Sequence, residues 1–318
     1  MIVTEADFER CLDRVRMAPA APGDGVFGPD SVMWQVHGEA AVFLGAGRAL
    51  LLQLAHPWVA ASIADQSKVF ADPIGRFHRT FNIVFTMVFG TREQAIAVAR
   101  RLYRRHQAVE GVLPDAIGPF AAGSRYLANE VEALRWVHAT LVDTAMRSHD
   151  MLLPALSEAQ RERHWSEARL FAGLFGIPSE ALPPDRASFD AYVTGMLASD
   201  VLTVSPAGRD IAQQIFSGAA TRIVVPKWYR AVTAQMLTER LRIAFGLPFD
   251  AAERRRAERA LAWLRRSYSV LPHRLRTVGP YQEACARIQS GQGPDIVTRL
   301  LNRAWIGQPQ MGDRKRSG

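Results

Sequence analysis

Apolar residues recur every three to four positions along almost the whole chain, and the strict alternation of a half-buried strand is almost absent. That pattern restricts the chain to an all-α fold, read as a single multi-helix domain. It predicts helices over about 4–16, 30–55, 57–66, 72–89, 91–110, 128–150, 157–175, 185–200, 206–218, 226–245, 250–270 and 279–303. Asp72-Pro73, Thr91-Arg92-Glu93, Ser157-Glu158 and Pro226 open helices, and Gly90, Gly111, Gly176 and Gly246 close them. The stretch Val112 to Arg125 is the one long irregular segment in the first half, and Leu182-Pro183-Pro184 is a short linker. No internal repeat is present.

The 318 residues, 48% of them hydrophobic, suffice for a substantial core. The formal charge is +8, but lysine occurs only at Lys68, Lys227 and Lys315, and arginine makes up the rest of the 39 basic residues. These arginines spread along most of the chain. Two local clusters, Arg100, Arg101, Arg104, Arg105 and Arg254, Arg255, Arg256, Arg259, sit beside apolar residues at helical spacing and read as solvated faces. No nucleic-acid partner is therefore expected, and peripheral membrane contact stays open. The tail Arg314, Lys315, Arg316 reads as frayed. Cys11 and Cys285 lie far apart with no C-x-x-C pair, which fits a reduced, cytoplasmic protein. Acidic residues precede any apolar run at the N-terminus, the wrong order for a secretory signal. The most apolar stretch, Ala40 to Ala64, is broken by Arg48 and His56-Pro57 and reads as two core helices.

Signatures of P-loop, dinucleotide, zincin and nucleophile-elbow chemistry are missing. What remains are polar residues where an amphipathic helix should be apolar. In the helix over 91–110 the stripe Ala95, Ala99, Leu102, Val109 contains His106, about 40° from Leu102 at 100° per residue. In the helix over 128–150 the stripe Val131, Leu134, Leu141, Ala145 contains His138. Over 72–89, Arg76 and Thr80 share a face with Ile83 and Met87, and Arg79 lies about 60° away. An inward arginine needs an anion. Either a carboxylate such as Asp143 supplies it, fixing helix register, or a bound cofactor does. The segment Gly47 to Pro57 adds Arg48 and His56, the latter placed to cap carbonyls at a helix end. A mononuclear iron site would want two histidines and a carboxylate, and no H-x-D/E motif occurs. Haem needs only one inward imidazole, an apolar slot between helices and basic side chains for its propionates.

Four segments in order are Gly47-Arg48-Ala49-Leu50-Leu51-Leu52-Gln53-Leu54-Ala55-His56-Pro57, Asp72-Pro73-Ile74-Gly75-Arg76-Phe77-His78-Arg79-Thr80, His106-Gln107-Ala108-Val109-Glu110-Gly111 and Trp136-Val137-His138-Ala139-Thr140-Leu141-Val142-Asp143. Together they resemble the family uniting the rubber oxygenase latex clearing protein with the ER-bound oxygenase of mycophenolic acid biosynthesis. Leu247-Pro248-Phe249 and Leu271-Pro272-His273-Arg274-Leu275-Arg276 resemble its C-terminal part. The likeness runs from about Phe27 to Asn302. It divides the chain into an N-terminal helix and linker (1–26), an oxygenase-like catalytic domain (27–302) and a basic tail (303–318).

The resemblance implies a globin-like core and haem b, with iron bound through His106 and with His138 as runner-up. Arg101, Arg104 and Arg105 stand near enough to His106 in sequence to reach propionates. The resemblance also places Arg76, Arg79 and Thr80 near the haem, Arg79 standing where the rubber enzyme has lysine, and matches Thr140 to a family threonine. Arg48 and His56 join the cofactor-binding set. One departure is plain: the rubber enzyme's pocket glutamate has no counterpart near Ala60, so neither rubber cleavage nor secretion is expected. The expected activity is a haem-dependent oxygenase taking O2 and an apolar, isoprenoid- or lipid-like substrate, with room for an electron donor. The competing readings are a haem or lipid binding protein without turnover and an all-α regulator on DNA. The oligomeric state is not legible.

Overall fold

In the computed structural model, which describes residues 1–65, 72–219 and 224–312, the chain is all-α. Its first helix, α1 (Glu5–Met17), starts at a capping box in which Thr4 and Asp7 satisfy one another's backbone N–H groups. Its buried face, Phe8, Cys11, Leu12 and Val15, has helical spacing, and Phe8, Leu12 and Val15 join the main core.

The single helix expected over 30–55 is three pieces: α2 (Val32–Gly38), a 3₁₀ turn over 40–45, and α3 (Ala46–Leu54). The break is tertiary. Glu39 is extended, accepts the Tyr268 hydroxyl proton at 2.8 Å and pairs with Arg276 at 3.5 Å. Next come α4 (Pro57–Asp65), α5 (Pro73–Phe89), capped by Asp72, and α6 (Arg92–Gln107), opened by a capping box at Thr91.

The chain leaves α6 earlier than periodicity predicts and forms a ribbon of β1 (Glu110–Val112) antiparallel to β2 (Arg125–Leu127), with Gly111 opposite Tyr126. Gly111 is thus a strand residue and not a helix stop. A Cβ there would collide with the Tyr126 hydroxyl, which itself contacts Asp65.

The centre is α7 (Val131–Leu152), on which 14 of 22 residues are buried, so it is surrounded on most sides. Around it and beyond follow α8 (Glu158–Gly173), α9 (Arg186–Ala198), α10 (Pro206–Ser217), α11 (Lys227–Gln235), α12 (Glu239–Phe245) and α13 (Ala251–Val270). A short α14 (His273–Arg276), α15 (Gly279–Ser290) and α16 (Ile296–Ile306) complete the described chain. The break between α15 and α16 is local, because Gly291 sits at φ +66° and Asp295 caps α16. The basic tail beyond 312 lies outside the described residues.

Candidate functional site

The seam between α5 and α6 gathers part of the expected set. Asp72 caps α5 by accepting from the Gly75 N–H at 2.8 Å, and Arg79 reaches back to the same carboxylate at 2.9 Å. Arg79 and Thr80 are exposed, whereas Arg76 is half-buried. Among the described residues no carboxylate pairs with Arg76. Burial first, then the neighbouring Arg105 and Arg79, hold its pKa below the ordinary arginine value. Asp143, the anion expected for Arg76, is taken elsewhere.

His106 stands half-buried in the last turn of α6. Burial, followed by the positive charge of Arg105, pushes its pKa down to about 4, with the nearby Asn129 side chain acting in the opposite direction. The imidazole is therefore neutral at pH 7, with a ring nitrogen lone pair available. Arg105 is the electrostatic neighbour that His106 and Arg76 share. The arrangement offers a neutral ligand beside cations that lack a buried counter-ion, a combination suited to an anionic group.

The other expected residues lie in different surroundings. Arg48, 1% exposed, pairs with Asp143 at 2.6 Å, donates to the Thr144 hydroxyl at 2.5 Å and to the Met236 carbonyl at 3.0 Å. The buried ion pair considered for Arg76 thus exists, but with Arg48. Thr140 accepts from the Gln53 amide at 3.0 Å and donates to the Val137 carbonyl at 2.7 Å. With Trp136 donating to the Leu52 carbonyl at 2.9 Å, these contacts lock α3 against α7. Much of the polar character of Gly47 to Pro57 is accounted for by this lock.

His138, 1% exposed, donates from Nε2 to the Ala168 carbonyl at 2.9 Å among Trp165, Phe171 and Phe175. It is a core histidine holding α8. His56 is buried against Trp58 and Phe120, with centroid distances of 6.2 and 5.4 Å, so an aromatic nest and not a carbonyl cap surrounds its ring.

Helical stripes missed Asn129 and Gln53, because each gains its role from a partner on another element. Arg105 was expected, with Arg101 and Arg104, as an arginine within reach of propionates, but its influence on both His106 and Arg76 depends on the packing of α5 on α6. Phe77, Phe81 and Phe85, a second stripe on α5, pack with Phe43, whose ring also stacks on Trp305 at 4.1 Å. Since α5 is contacted by α2, α6, α15 and α16, its buried arc is wider than any single stripe.

The ER-bound oxygenase mpaB/B'/rubber oxygenase catalytic domain matches residues 34–266, well over half of the chain. The chain belongs to this oxygenase family. No curated protein and no solved structure matches it. The globin-like arrangement therefore rests on the family resemblance. Among the described residues, no three His, Cys, Asp or Glu side chains converge to cage a metal, and no helix is long and apolar enough to cross a membrane. Haem asks for one unprotonated imidazole, cations for its carboxylates and an apolar slot between helices. His106 and Arg76 beside Arg105 fit the first two needs, whereas His138 has its Nε2 committed to a carbonyl.

Proposed function

We propose that this member of the oxygenase family is haem b dependent and acts with O2 on an apolar, isoprenoid- or lipid-like substrate. The observation that carries the reading is the neutral imidazole of His106 on the same seam as Arg76, a half-buried guanidinium with no carboxylate among the described residues. Bound haem would supply the iron centre for oxygen chemistry.

The chain's own groups divide the remaining work. His106 would hold the iron, its proton kept off by burial and Arg105. Arg76 and Arg105 would take the propionates, which would relieve their mutual repulsion. Thr80, one turn beyond Arg76, would offer a hydroxyl at the edge of the same seam. Arg48, Gln53, Thr140 and His138 would act as positioning residues, by fixing α7 between α3 and α8. A cytoplasmic location is supported by Cys11 and Cys285, both free thiols. An electron donor belongs to this reading as a partner of unspecified kind.

The test is the absorption spectrum of protein expressed with a haem precursor. A Soret band is expected, and its absence overturns the haem reading. His106→Ala is expected to abolish the band, while His138→Ala keeps it in whatever fraction remains folded. O2 consumption with reductant and an apolar alkene then separates an oxygenase from a haem or lipid carrier.

A further inference from the structure

The outer side of α13 is built unlike the solvated face that its arginines suggest. Only Ala257, Leu261 and Tyr268 of its 20 residues are buried, so packing against α11 uses one narrow edge. On the opposite side Trp263 is 67% exposed and Val270 is 79% exposed. Seven residues apart, they stand on nearly one line, about 10 Å along the helix. Across an open groove of about 720 Å³ the 38% exposed Trp228 of α11 faces Arg255, Arg256, Arg259 and Trp263. Beyond Val270 the apolar surface continues with Leu271 and Leu275, also exposed.

Cations outnumber carboxylates on this face, where Asp250 at the helix start and Glu253 stand against four arginines. At 100° per residue Arg259 and Arg256 lie within about 40° of Trp263, and Arg266 and Arg255 within about 80°. Glu253 is engaged with Arg256. Glu258 points about 140° away. Among the described residues no carboxylate pairs with Arg255, Arg259 or Arg266, and exposed Lys227 adjoins Trp228. Two indoles and an aliphatic residue set among arginines in excess of the nearby carboxylates suit a surface that is apolar beneath and anionic on top. Indoles seat at the headgroup level, arginine stems lie along apolar surface while their charged ends stay wet, and acidic headgroups supply the counter-charge.

We propose that the face of α11 and α13 carrying Trp228, Arg255, Arg259, Trp263 and Val270 docks on an anionic lipid bilayer. A second copy of the chain would bring cations against cations. A nucleic acid would use the indoles and arginines but leave Val270, Leu271 and Leu275 unoccupied. The inference is independent of the haem reading, since none of its residues belongs to the seam of α5 and α6.

The test uses the full chain and vesicles of phosphatidylcholine alone or mixed with phosphatidylglycerol. Flotation with the mixed vesicles only, weakening with salt, is expected, together with a blue shift of tryptophan emission that Trp263→Ala reduces. Replacing both Arg255 and Arg259 by Gln should lower partitioning by about thirtyfold, the effect of removing two basic residues at a membrane surface. These side chains are exposed, so an unchanged thermal midpoint in each variant establishes that folding is intact. Equal binding to both vesicles, or no loss in the double variant, overturns the proposal. A dimer on size exclusion that Trp263→Ala dissolves would assign the face to a second copy. An oligonucleotide that displaces the protein from vesicles would assign it to nucleic acid.

Discussion

Arg48 and Asp143 form a buried pair whose two ends are not equivalent. Asp143 is also held by Arg147, which is 54% exposed, so deleting Arg48 leaves the carboxylate a partner in contact with water. Deleting Asp143 leaves Arg48 charged, buried and bonded only to the Thr144 hydroxyl and the Met236 carbonyl. Asp143→Ala is therefore expected to cost about 3–5 kcal/mol and Arg48→Ala about 1–3 kcal/mol, read from urea unfolding midpoints. Equal losses would sink the asymmetry. Arg76 should behave in the opposite way. Its guanidinium is half-buried near Arg105 and Arg79, so Arg76→Met is expected to stabilise the ligand-free chain by about 1 kcal/mol while weakening haem retention. At this scale helical spacing turned Arg76, Thr80, His106 and His138 inward, and the structure buries His138, half-buries Arg76 and His106 and leaves Thr80 exposed. Spacing could not disclose which anion serves which arginine, since Asp143 is distant in the chain from both candidates and only packing chooses between them.

Helix ends were legible wherever a local device sets them. Asp72, Thr91 and Ser157 cap helices because their side chains reach a backbone N–H within one turn. Ends set by distant partners were not: the break at Glu39 depends on Tyr268 and Arg276, and the early exit from α6 depends on pairing with β2. Gly45 shows how such non-local contacts set the spacing of elements. It caps the start of α3 where a Cβ would strike the Thr144 methyl and the Ser148 hydroxyl of α7. Gly45→Ala should therefore push α3 off α7 and cost about 1–3 kcal/mol by overpacking. Combining it with Thr144→Ser, which removes the struck methyl, should recover part of that loss in a thermal melt. No recovery would mean that the two helices are not held apart by this contact.

Across the whole molecule six histidines share one electrostatic condition. Of the eight, His37, His56, His106 and His138 are pushed down to about 4, His164 falls well below its ordinary value and His149 is lowered, burial being the first cause in every case. Four of them, His37 on α2, His138 and His149 on α7 and His164 on α8, surround one interface, and His164 feels the other three. Arg186 adds to that repulsion at His164, whereas Asp150 and Glu39 favour the charged form of His149. In the unfolded chain these imidazoles would titrate near their ordinary value of about 6.5. Between that pH and about 4 the unfolded state binds more protons than the native state, so stability rises with pH and is lost as pH falls through this window. Each proton of difference contributes a slope of about 1.4 kcal/mol per pH unit. Several such histidines acting together would exhaust an ordinary stability of about 5–15 kcal/mol within one or two pH units below 6.5. Urea unfolding followed from pH 7.5 downward is therefore expected to show a steep fall beginning near pH 6.5, with a proton uptake on unfolding well above one. Hydrogen exchange should place the first loss of protection in α8, whose buried His164 meets repulsion from His37, Arg186, His138 and His149 once imidazoles become charged. Replacing His164 by Phe should flatten the slope by about one proton. A stability profile that stays level down to pH 5 would show that the interface of α2, α7 and α8 admits water or counter-ions and that its histidines titrate as they would in solution.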